Sequence, residues 1–81
     1  MAPDRVRTAL KAAPFRPFHV ELPNAKRVFI KHPDYASQSP AGRTLIIYDD
    51  GEGMEMIDVF LITSLLFDGA GSSSAAQEIE N

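Results

Sequence analysis

The histidines, acidic turn and hydroxyls of this chain are side chains of types that do chemistry. His19 and His32 are the two histidines, and Asp34 follows the second closely. Two imidazoles and a carboxylate could ligate a metal or move a proton. Their spacing matches no such motif. His19 alternates outward in a strand-like stretch, and His32-Pro33 reads as a bend. Asp49-Asp50-Gly51-Glu52-Gly53, with Glu55 behind it, clusters carboxylates. A divalent cation needs several oxygens converging on one point. The order departs from the Asp-x-Asp-x-Asp-Gly loop, so the segment reads as a hairpin turn in which Asp tolerates the geometry and Gly supplies positive φ. Ser39, Thr63 and Ser64 offer hydroxyls, but no G-x-S-x-G elbow surrounds them, and so small a chain has little room for a deep pocket. No catalytic residue, metal ligand or cofactor site is therefore expected, and the chain reads as a non-enzyme.

The cations are more informative. All eight Lys and Arg lie between Arg5 and Arg43, against three carboxylates in residues 1–43, for a net +5. Residues 44–81 hold the other eight carboxylates and no cation, for a net −8. Faces of opposite sign would steer partners together. Lys26, Arg27, Phe29, Lys31 and Arg43 are the candidate nucleic-acid contacts, combining charge with a stacking ring. The overall charge of −3 disfavours that use. Folding would also bring late carboxylates beside early cations and leave an ordinary solvated surface.

A third pattern is apolar. Val59, Phe60, Leu61, Ile62, Leu65 and Phe67 supply more bulk than one face of one short strand can bury. Two readings stay open: a strand covered on both sides beneath a helix, or a subunit interface. The second makes these six residues the candidate interface, and a second copy of the chain or another protein the expected partner.

The elements that must position these residues are legible in outline. Pro3 to Ala13 predicts a short helix, opened by Pro3 and Asp4 and stopped by Pro14, with Val6, Ala9, Leu10 and Ala13 on one stripe. Phe18, Val20 and Leu22 alternate with His19 and Glu21, which is strand periodicity. Val28 and Ile30 repeat it, so the two runs predict a hairpin about Pro23–Lys26, with Asn24 as the residue suited to a left-handed backbone. Tyr35 to Gln38, Thr44 to Tyr48, Met54 to Val59 and Ile62 to Phe67 complete the strands. Residues 1–68 are expected to form one domain. Residues 69–81 read as a flexible acidic tail in which Ile79 is the one large apolar residue.

The chain has 81 residues and no Cys, so a packed core or self-association must supply the stability. Pro3, Asp4, Arg5 and Arg7 interrupt any secretory h-region, and Val59 to Phe67 is too short for a membrane span. A soluble cytoplasmic protein with no membrane partner is expected.

The run Pro14-Phe15-Arg16-Pro17-Phe18, then Val20-Glu21-Leu22, His32-Pro33-Asp34-Tyr35 and Gly42-Arg43-Thr44-Leu45, resembles a family of small uncharacterised bacterial domains. The likeness covers residues 5–67 and implies no activity. It departs from that family's pattern at Pro23–Lys26, where Asp-Gly-Arg is usual, and at Asp34, where Glu is usual. A helix followed by five strands, closing on Phe60-Leu61-Ile62-Thr63-Ser64-Leu65, is also similar to the Sm-like barrel. In RNA-binding rings of that fold a Lys-His pair precedes the last strand, whereas Val59-Phe60 stands here. The expected fold is therefore mainly β (α+β), a short N-terminal helix followed by a five- to six-stranded antiparallel Sm-like or SH3-like small barrel. The expected function is a non-catalytic, self-associating interaction module, with an RNA- or DNA-binding barrel as the alternative.

Overall fold

The computed structural model describes residues 1–67. The expected tail at 69–81, and residue 68 of the expected domain, lie outside the described residues. One helix, α1 (Pro3–Lys11), precedes six strands: β1 (Phe18–Glu21), β2 (Arg27–Ile30), β3 (Ala36–Gln38), β4 (Thr44–Tyr48), β5 (Met54–Asp58) and β6 (Ser64–Phe67). Single 3-10 turns at Pro33–Tyr35 and Val59–Leu61 separate β2 from β3 and β5 from β6.

The strands form two antiparallel sheets of three, in the orders β2-β1-β6 and β3-β4-β5. No ladder closes them into a single barrel among the described residues. The 3-10 turns are where the chain passes between sheets. At the second, the Val59 amide donates to the Arg43 carbonyl at 2.7 Å, and the Thr63 amide donates to the Glu21 carbonyl at 2.9 Å. The turn is thus tied to both sheets within five residues.

One core serves both layers. Phe18, Val20 and Ile30 come from the first sheet, Leu45, Ile47 and Ile57 from the second, Val59 and Ile62 from around the turn, and Val6 and Ala9 from the helix. Period-two alternation places them there, since each strand sends every second residue inward. The helix buries Val6 and Ala9 against this core and leaves Ala13, expected on the same stripe, exposed. It stops at Lys11, before the expected Ala13, because Pro14 has no N–H to meet the Leu10 carbonyl.

Two turn assignments are corrected. In the β1–β2 turn the left-handed residue is Ala25, with φ 66°, and not Asn24. Asn24 instead closes the turn with its side chain, its Oδ1 accepting from the Lys26 amide at 3.1 Å. In the β4–β5 turn the positive φ falls on Glu52, at 69°, and not on either glycine. Gly53 is needed there for space, since a Cβ would lie 2.5 Å from the Asp49 carboxylate. The strand bounds also shift. Tyr35 belongs to the first 3-10 turn and Val59 to the second, where the Asp58 side chain accepts from the Phe60 amide at 2.9 Å and ends β5 one residue early.

Candidate functional site

The groups that suggested catalysis are engaged in local structure. His32 sits at the head of the first 3-10 turn, its Nδ1 accepting from the Asp34 amide at 3.1 Å. His19 is half-buried, its ring 4.7 Å from that of Phe29 across the β1–β2 ladder. In the acidic turn, Asp49 Oδ1 accepts from the Gly51 and Gly53 amides, each at 2.8 Å. That carboxylate holds the hairpin end together. No group of three or more His, Cys, Asp or Glu with metal-binding geometry exists among the described residues.

The cationic candidates divide. Lys26, Arg27, Phe29 and Lys31 line one groove of about 390 Å³ between β2 and the β4–β5 hairpin. Arg43 is not part of it. Tyr48 and Met54 form the opposite wall. Sequence reading missed these two as site residues, though they fall on outward positions of β4 and β5. Every cation of the groove meets a carboxylate. Lys26 bonds Glu55, Arg27 bonds Glu21 at 3.3 Å, and Lys31 bonds Asp50 at 3.0 Å. The Lys31 ammonium also lies 4.7 Å from the centre of the Tyr35 ring. The hydrogen bond to Asp50 raises the Lys31 pKa above its ordinary 10.5. The bonds from Lys31 and then Tyr35 lower that of Asp50 below its ordinary 3.8. Arg43 pairs with Asp58 at 3.5 Å, its guanidinium 5.0 Å from the centre of the Phe60 ring.

The charge segregation along the chain is therefore answered within the fold. Lys26–Glu55, Lys31–Asp50 and Arg43–Asp58 each join the early cationic half to the late anionic half. These are exposed pairs and add little to stability, typically about 0–1 kcal/mol each. Their effect on the surface is larger, because each sets an early cation against a late carboxylate and so reduces the field expected from the sequence.

The six apolar candidates also divide. Val59 is fully buried and Ile62 is 3% exposed, so both belong to the core. Leu65 is half-buried against that core. Phe60 and Leu61 are 53% and 57% exposed, and Phe67 is 39% exposed. Met54 and Met56, on the outward face of β5, are 64% and 66% exposed. Four large apolar side chains thus face solvent between Met54 and Leu61. The flanking strands are both edges: β5 pairs with β4 alone, and β6 with β1 alone. Their outer backbone groups have no strand partner among the described residues.

No family model, curated protein or solved structure matches this chain. Among the described residues, no helix is long and apolar enough to cross a membrane.

Proposed function

We propose that this chain is a non-catalytic module of the cytoplasm that binds protein, in the first instance a second copy of itself. The observation that carries the reading is the exposure of Met54, Met56, Phe60 and Leu61 beside two unpaired strand edges. Clustered apolar surface on a small domain favours association, and an open edge offers main-chain hydrogen bonds to an added strand. Internal pairing of the opposite charges makes an apolar contact the better account than an electrostatic one. The association is therefore expected to survive high salt. Light scattering during size exclusion, over a concentration and salt series, tests it. A strict monomer at high concentration would overturn the reading.

The two sheets, passing into one another at 3-10 turns, are read here as halves of a small Sm-like or SH3-like barrel. The order of helix, strands and a turn before the last strand supports that likeness. Likeness of fold is not evidence of function.

Nucleic-acid binding is the second reading. Its support is the meeting of Lys26, Arg27, Phe29 and Lys31 in one groove. Phosphates would have to displace Glu55, Glu21 and Asp50 from those cations, which ranks it below self-association. A gel shift with random single-stranded RNA at low salt decides it, and no shift dismisses it.

A further inference from the structure

The β4–β5 hairpin ends in an apolar side chain beside an unanswered carboxylate. Met54 is 64% exposed at the start of β5. Asp49 is held by the Gly51 and Gly53 amides, Asp50 by Lys31 and Tyr35, and Glu55 by Lys26. Glu52, which is exposed, has neither a hydrogen bond nor an ion pair among the described residues.

A second groove, of about 560 Å³, has the opposite character. It lies between α1 and β6, with Ala9, Ala12, Leu65 and Phe67 as its apolar floor and Arg5 and Arg16 along its side. Neither arginine meets a carboxylate among the described residues. Arg16 lies over the Phe67 ring, 5.1 Å from its centre. Asp4, the acid of this groove, is already bonded to Arg7 at 3.2 Å. At one end the groove adjoins the Val59–Leu61 turn. Met1 lines it there and donates its ammonium to the Val59 and Phe60 carbonyls, each at 3.3 Å. The exposed Phe60 and Leu61 therefore extend the same apolar surface.

We propose that the β4–β5 hairpin of a second copy docks in the α1–β6 groove, with Met54 on the apolar floor and Glu52 beside Arg5 and Arg16. This rests on the self-association proposed above and assigns its two faces. β5 runs from the hairpin to the turn at the groove, and four strand steps span about 13 Å. A hairpin held that far along a paired strand does not reach the groove of its own copy. Two different faces make the contact heterologous, so copies add head to tail into a ring or an open chain. Burial of Met54 supplies affinity, and the exposed charges set orientation.

Ala12 and Met54 are both exposed, so Ala12→Glu and Met54→Glu each block one face without entering the core. In light scattering during size exclusion of the full chain, the parent should grow past a dimer as concentration rises. Each variant alone should stay monomeric with an unchanged circular-dichroism spectrum. Mixed in equal amounts they should form a dimer and nothing larger, because one open groove meets one intact hairpin. Glu52→Gly, which suits the positive φ of that position, should weaken parent association by about two- to fivefold. A mixture that stays monomeric, Ala12→Glu that assembles like the parent, or Glu52→Gly without effect would overturn the head-to-tail contact and leave self-association standing. A parent monomeric at high concentration would overturn both.

Discussion

The Asp50 carboxylate accepts hydrogen bonds from two residues at once, Lys31 just after β2 at 3.0 Å and Tyr35 in the first 3-10 turn at 2.9 Å. This knot joins the β4–β5 turn to the chain on either side of His32-Pro33. It shifts the titration of Lys31 upward and of Asp50 downward, and so sets a pH dependence.

Asp50 has its pKa lowered, so its contribution is present above the unfolded value near 3.8 and is lost as pH falls through the folded value. Lys31 has its pKa raised, so its contribution is present below 10.5 and is lost as pH rises through the folded value. The stability difference between the parent and Asp50→Asn should therefore be flat between about pH 5 and 9 and shrink at both extremes. Urea midpoints across pH measure it. The groups are exposed, so the plateau should be small and should fall with added salt.

Burial predicts a sharp contrast between two leucines. Leu45 is fully buried and Leu61 is 57% exposed. Leu45→Ala should cost about 2–5 kcal/mol, a large part of the stability of so small a domain. Leu61→Ala should stay within about 0.5 kcal/mol. Equal effects in chemical denaturation would mean that the core is misplaced.

Backbone angles predict opposite signs at two turns. Gly42 has φ 87°, and a Cβ there would stand 2.7 Å from the Pro3 side chain. Gly42→Ala should therefore destabilise by more than about 1 kcal/mol. Ala25, with φ 66°, carries the strain that Gly avoids. Relief of about 1–2 kcal/mol, offset by about 0.5–1 kcal/mol of extra chain entropy, should leave Ala25→Gly slightly stabilised. Thermal midpoints of the two variants check the signs.

Met56→Glu and Phe60→Glu should each move the protein toward the monomer in size exclusion with an unchanged circular-dichroism spectrum. Both side chains are more than half exposed, so neither change disturbs the core. Lys11→Glu, at the far end of α1, should leave the assembly as it was. Association that survives Met56→Glu combined with Phe60→Glu would exclude this face.

The alternation of Phe18, Val20, Val28 and Ile30 was readable from the sequence, because a two-residue period leaves a direct trace in the choice of side chain, whereas Leu45-Ile46-Ile47 is apolar throughout and marked a strand without marking its inner face. The hairpin pairing of β1 and β2 was readable for the same reason. The separation into two sheets was not, since it depends on long-range register, which has no local signature. Nor did the pattern distinguish Val59 and Ile62, which face inward, from Phe60 and Leu61, which face out. A single 3-10 turn breaks the period at that point, and Asp58 as its cap was the one available cue. The left-handed positions were missed because Asn24 and Asp49 govern their turns through side-chain hydrogen bonds, which pass the unusual angle to a neighbour.

The pairing of β1 with β6 sets Phe18 opposite Phe67 and Glu21 opposite Ser64. During biosynthesis, a growing polypeptide that has made its first hairpin still lacks the third member of that sheet until residue 67 is in place. Folding must then wait for nearly the whole compact region to leave the ribosome, and loop closure over such a separation slows the search. Until that moment the outer side of β1 stays open, and newly made molecules are most vulnerable to pairing with each other.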